Sequence, residues 1–218
     1  MTNLTPPYAI LVHGLSRTPM SMYFLARKLH RAGVETRFFG YHAGVDDFAA
    51  VVERLREQLL ALPTGVPYIA IGHSLGGLLL RGALAKLPAD RLPRHLFMLA
   101  TPSQAVTLAR RLQKLLPYRL WNGDAGQMLA DAGRMGAIPP PPPGVPSTIV
   151  AGTKGIPDWK GSPFHEPNDA IVTVEETRLP GSNIEHISIP AVHTWIMNRP
   201  EVLRIIKERV PDLVRAAG

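Results

Sequence analysis

Residues 69–87 read IAIGHSLGGLLLRGALAKL. An apolar run, Pro67–Ile71, leads straight into Gly72-His73-Ser74-Leu75-Gly76-Gly77, and a helical pattern begins at once. A run so apolar reads as a strand covered on both faces. At its end the chain must turn sharply, and it places a serine in that turn with glycines at −2 and +2. Side chains at those two positions would collide with the neighbouring strand and with the new helix. The turn lifts Ser74 Oγ above the sheet. The N–H of Leu75, at the helix N-terminus, faces any negative charge that forms beside it.

Working outward, apolar strands alternate with amphipathic helices. Strands are predicted at Tyr8–Val12, Val34–Phe39, Pro67–Ile71, His95–Ala100, Ser147–Ala151 and Ile184–Ile189. Helices are predicted at Met20–Ala32, Asp46–Leu62, from Ser74 to about Leu87, and at Glu201–Arg209. Gly33 stops the first of these. The alternation is that of βαβ units, hence an α/β fold with a mostly parallel sheet of about six strands. No internal repeat is present, and residues 1–218 read as a single domain. Residues 101–146 are less regular: an amphipathic stretch, Val106–Leu116, a glycine-rich segment, then Pro139–Pro143. The region reads as a small lid or connector. Five consecutive prolines favour extended structure. They read as a stiff lead into the next strand rather than as a ligand for a proline-binding module.

At 218 residues, 45% apolar and 19% charged, with mean hydropathy +0.04, the chain can bury a sizeable core and is not of disordered composition. It has no cysteine, which excludes disulfides, thiolate metal sites and a cysteine nucleophile. No apolar run reaches the roughly 18 residues of a membrane span. Met1–Pro7 lacks the basic segment of a secretory leader. The expected location is cytoplasmic. Between Arg81 and Arg119 eight bases face one acid, an excess equal to the whole net charge of +7. Such a field attracts anions, although solvated helix faces look the same. No nucleic-acid-binding signature accompanies it, so no nucleic-acid partner is expected. Val106–Leu116 sets leucines beside Arg110, Arg111 and Lys114. A membrane-surface helix has that make-up, and so does an ordinary packed one. Oligomeric state is open.

A GxSxG sequence between strand and helix is the nucleophile-elbow pattern. A hydroxyl is a poor nucleophile until a base takes its proton, and the base needs a carboxylate to orient it. On this architecture the chain order is serine, acid, histidine, and functional loops follow the C-terminal ends of strands. His95, His165, His186 and His193 come after Ser74. His95 starts the next strand, before an acid can intervene. His186 lies mid-strand in an alternating pattern. His193 follows Pro190, beyond the last strand, and is the expected base. For the acid, Asp169 competes with Asp158 and Glu166. It is preferred because it adjoins the apolar Ala170-Ile171-Val172, which can anchor it. A second donor to an oxyanion fits the N–H of Leu15, after His13-Gly14 at the end of the first strand. His13 itself suits a structural hydrogen bond. No metal-ligand spacing such as HExxH occurs, and neither a metal nor an organic cofactor is expected.

With these residues the chain resembles the α/β-hydrolase superfamily, in particular compact bacterial lipase- and esterase-like members. The matching blocks are HGLSRTPMSM at 13–22, GHSLGG at 72–77, PNDAIVTVEETRLPG at 167–181 and AVHTWIMNRPEV at 191–202. The resemblance implies Ser74, Asp169 and His193 as nucleophile, acid and base, and no large cap domain. It implies two-step acyl transfer on a small-molecule ester or lipid substrate. A thioesterase or acyltransferase could run on the same three residues. A non-catalytic hydrolase-fold binding protein is a further reading, which an intact triad disfavours.

Overall fold

The computed structural model describes residues 6–214, apart from the side chains of 117–122 and 214. The leader reading of the first residues and the charge of Arg119 therefore lie outside the described residues. Six strands form one parallel sheet: β1 Tyr8–Val12, β2 Glu35–Phe39, β3 Tyr68–His73, β4 His95–Leu99, β5 Ser147–Gly152 and β6 Ile184–Ile189, in the order β2-β1-β3-β4-β5-β6. Helices on the two faces of the sheet include α1 Tyr23–Arg31, α2 Phe48–Leu60, α3 Leu75–Leu84, and α7 Pro200–Arg209, the last opened by a proline at its first position. Asp47 caps α2, accepting from the Ala50 N–H at 3.1 Å.

The strands' period of two sorts the core into two layers. Tyr8, Ile10, Val12, Ala70, Met98 and Ile149 face α2 and α3. Ala9, Leu11, Ile71, Phe97, Leu99 and Val150 face α1 and α7. Burial on both sides explains why β1, β3, β4 and β5 are almost uninterruptedly apolar. All ten residues of α3 are buried, Arg81 among them. Its guanidinium donates to the carbonyls of Pro139 and Ile138, each at 2.8 Å. It thereby ties the start of the proline run to α3.

Between β4 and β5 the structure departs from the irregular segment expected at 101–146. Three helices lie there: α4 Thr107–Leu112, α5 Leu116–Ala130 and α6 Ala132–Gly136. α5 is kinked at Gly123 (φ 53°, ψ −143°). Glycines hid α5 and α6 from periodicity, and packing sustains them: Ala125, Met128 and Leu129 of α5 and Met135 of α6 join the same core as Leu78, Leu79 and Leu80 of α3. A four-residue helix, α8 Pro211–Val214, follows α7. The basic stretch is also not one surface. Arg81 is buried, and Arg91 donates to the carbonyls of Leu60 and Leu62 at the end of α2 (2.5 and 2.6 Å). No helix among the described residues is long and apolar enough to cross a membrane.

Candidate active site

The strand order places the site. β1 and β3 are neighbours although β2 intervenes in sequence, and in such sheets the crevice opens at the C-terminal ends beside that crossover. Ser74 leaves the end of β3 at φ 52° and ψ −121°, a backbone region that residues with a Cβ avoid. Its N–H is held by the Leu99 carbonyl of β4 at 2.8 Å. The turn is possible because a Cβ at Gly72 would run into the backbone of Gly77, and one at Gly76 into the Val12 carbonyl of β1. The helix start is thus pressed against the strands on both sides.

The loops after β5 and β6 meet at the same edge. Asp169 is 1% exposed. Its Oδ1 accepts from the N–H groups of Ile171 (3.0 Å) and Val172 (2.8 Å), and its Oδ2 accepts from His193 Nδ1–H at 2.7 Å. The His193 N–H also donates to the Asp169 carbonyl at 2.9 Å. Carboxylate and imidazole are therefore joined through both side chain and backbone, which leaves Nε2 of His193 to face the cavity. Asp158 and Glu166, the competing acids, lie at the exposed surface, and Asp158 pairs with His165 at 2.9 Å. His186 sits on β6 with Nε2–H donating to Thr177 Oγ1 at 2.8 Å. His95 opens β4 at the opposite end of the sheet, bonded to Thr148 Oγ1 at 2.9 Å.

Ser74, His193 and Leu15 share a cavity of about 250 Å³. Val106, Leu108, Ala109 and Leu112 along α4, Leu129 of α5, and Ile171 and Val172 form its apolar walls. The N–H groups of Leu15 and Leu75 enter no hydrogen bond among the described residues, and both stand beside the start of α3. His13 does not line the cavity. Its ring stacks on Tyr41 (4.3 Å between centroids, 4° between planes), and its Nδ1–H donates to the Gly14 carbonyl at 2.9 Å. Burial lowers its pKa.

Two residues were missed in the sequence. His73, fully buried, donates Nε2–H to the His193 carbonyl at 3.0 Å, and its ring packs 4.9 Å from that of His193. Burial first, then the neighbouring His193, pushes its pKa well below the ordinary histidine value, so it stays neutral. Glu176, 5% exposed, closes a reciprocal cap with Thr173 and accepts from the Thr107 N–H at 2.6 Å. The start of α4 is thereby fastened to the loop that carries Asp169. The signal for Glu176 was present as Thr173-Val174-Glu175-Glu176. For His73 it was only adjacency to Ser74. Among the described residues no group of three or more potential ligands is placed to hold a metal ion.

The fold is shared with solved structures of low sequence identity. The mature Bacillus licheniformis lipase BlEst2 superposes with a TM-score of 0.72 at 20% identity, covering 97% of this chain and 93% of that one. A metagenomic carboxyl esterase, MGS0156, gives 0.72 at 19%, covering 98% and 78%. YbtT, a type II thioesterase from the yersiniabactin biosynthetic pathway, gives 0.65 at 11%, covering 97% and 98%. No curated protein matches the sequence. Residues 9–203 match the model of the alpha/beta hydrolase family, a span that takes in the Ser74 turn, the Asp169 loop and His193. The chain belongs to the alpha/beta hydrolase family.

Proposed function

We propose that the chain is a serine hydrolase that cleaves carboxylic esters through an acyl-enzyme. The observation that carries the reading is the buried 2.7 Å bond between Asp169 and His193 on the wall of a cavity shared with Ser74. Ser74 Oγ attacks the ester carbonyl carbon while His193 Nε2 takes its proton. The carbonyl oxygen, now an oxyanion, accepts from the N–H groups of Leu15 and Leu75. Collapse breaks the bond to the leaving alcohol, which departs with the proton from His193. Water then attacks the acyl-serine with the same histidine as base; the bond between the acyl carbon and Ser74 Oγ breaks, Oγ takes back the proton from His193, and the acid is released. Asp169 keeps the proton on Nδ1 and offsets the charge the imidazole gains. Every proton and charge in this scheme is handled by the chain itself. The apolar cavity suits the acyl part of an ester or lipid.

Ser74→Ala removes one hydroxyl and should fold as the parent does. Hydrolysis of p-nitrophenyl butyrate should fall by roughly 10³- to 10⁶-fold, and labelling by a fluorophosphonate probe should vanish. Comparable turnover in Ser74→Ala would sink the proposal. The structural neighbours named as thioesterases make a thioester the second substrate to try. Rates on matched oxygen esters and thioesters separate the two.

A further inference from the structure

Two cavities meet at Arg17. It lines the apolar cavity above Ser74, and it also lines a wider one of about 570 Å³ with Tyr41, His42, Asp46 and Arg54. The side chain is half-buried. No carboxylate among the described residues forms an ion pair with it. No carboxylate lines the first cavity. In the second, Asp46 is already matched: its Oδ2 accepts from Arg54 and from the His42 N–H, both at 2.9 Å. Arg17 thus brings a charge without an internal partner to the mouth of the site. It lies two residues beyond Leu15, and two residues span at most about 7 Å. Its charge is also felt at His73, next to Ser74, where it helps keep that ring neutral.

An arginine offers a planar fork of N–H donors that fits carboxylate and phosphate groups and is poorly matched to anything uncharged. The two cavities differ in kind. The first is walled by aliphatic side chains and suits an acyl chain. The second is open and carries polar and charged groups. Resting on the ester-cleavage reading above, we infer that Arg17 binds a carboxylate or phosphate on the leaving-group side of the substrate, so that the enzyme prefers esters of anionic alcohols or thiols.

Two arms test this. The first is binding and needs no turnover: calorimetric titration of glycerol, glycerate and glycerol 3-phosphate into the parent protein, Ser74→Ala, Arg17→Gln and Arg17→Lys. An anionic ligand should bind the parent and Ser74→Ala alike, more tightly than glycerol. Arg17→Gln should weaken it at least tenfold, and Arg17→Lys should recover part of the loss. Equal affinity in the parent and Arg17→Gln, or no preference over glycerol, overturns the inference. The second arm compares kcat/KM for butyryl esters of the same three alcohols. The anionic-to-neutral ratio should drop tenfold or more in Arg17→Gln. If that variant instead loses selectivity for a p-nitrophenyl hemiglutarate, whose charge is on the acyl side, the leaving-group assignment is wrong. If the parent cleaves no ester while the binding arm holds, the ester reading fails and the Arg17 anion site stands.

Discussion

Ser74 holds a backbone geometry that costs on the order of 1–3 kcal/mol outside a constrained turn. Here it is enforced by the Leu99 carbonyl on its N–H and by α3 beginning at the next residue. In this geometry Ser74 lines the cavity at the end of β3. Asp169 is over-determined in the same way, since three donors converge on its two oxygens. Asp169→Asn would keep the volume but present an amide N–H either to His193 Nδ1 or to the two backbone donors. Both arrangements mispair a buried group, and the first forces the wrong imidazole tautomer. We expect kcat to fall by roughly 10³- to 10⁴-fold, the scale known for such a change in a serine-protease triad. Asp158→Asn and Glu166→Gln should change it less than about threefold. Assay of the three variants on one short-chain ester decides the point. Damage from Asp158→Asn equal to that from Asp169→Asn would overturn the assignment of the acid.

At the scale of elements, the strand–turn–helix from β3 to α3 was legible because its requirements are local. An apolar run, two glycines and a helical period are all written within 20 or so residues. The close approach they permit is testable. A methyl at Gly76 would meet the carbonyl oxygens of Val12 and His13, which belong to a buried strand end and cannot step aside. Gly76→Ala should therefore destabilise by about 2–4 kcal/mol. At Gly136, the last residue of α6, nothing lies within 4 Å of an added methyl, and φ is not positive. Gly136→Ala should be neutral or stabilise by up to about 1 kcal/mol. Urea unfolding of both variants measures the contrast. A Gly76→Ala protein as stable as its parent would show that the turn is looser than drawn. The helices α5 and α6 were not legible, because Gly123, Gly126, Gly133 and Gly136 depress local propensity. What keeps those residues helical is the contact of Met128, Leu129 and Met135 with the core, and local sequence does not announce such contacts.

At the scale of the whole molecule, one sheet edge gathers residues that the chain keeps far apart. In a parallel sheet every strand ends on the same side. The order serine, acid, histidine, taken with a place for each beyond a strand end, is what leads one to expect the Ser74, Asp169 and His193 loops together; order alone leaves Asp158, Glu166 and His186 open. Contacts that depend on how separate loops lie against each other, such as His73 on the His193 carbonyl or Glu176 on α4, have no periodic signature and stayed hidden. The fold also buries neutral imidazoles. Burial is the leading cause that lowers the pKa of His13, His73, His95 and His186. His95 is brought down to about 4, with Glu185 opposing the shift and Arg209 adding to it. Unfolded, each imidazole takes up its proton as the pH falls through about 6.5. Folded, His95 does so only near pH 4. Between those values the unfolded state binds more protons, so stability falls as the pH falls and levels off below the folded value. The share of His95 is on the order of 1–3 kcal/mol by pH 4. His95→Gln cannot titrate, yet it can still donate to Thr148 Oγ1, the bond that His95 makes at 2.9 Å. Losing the stacking of His95 on Phe97, 4.3 Å away, should make the variant somewhat less stable than its parent at pH 7.5. Its further loss between pH 7.5 and 4.5 should be smaller than the parent's by about 1–2 kcal/mol, because all other titrating groups are common to both. Urea unfolding at the two pH values gives the difference directly, and parallel losses in the two proteins would refute a neutral, buried His95.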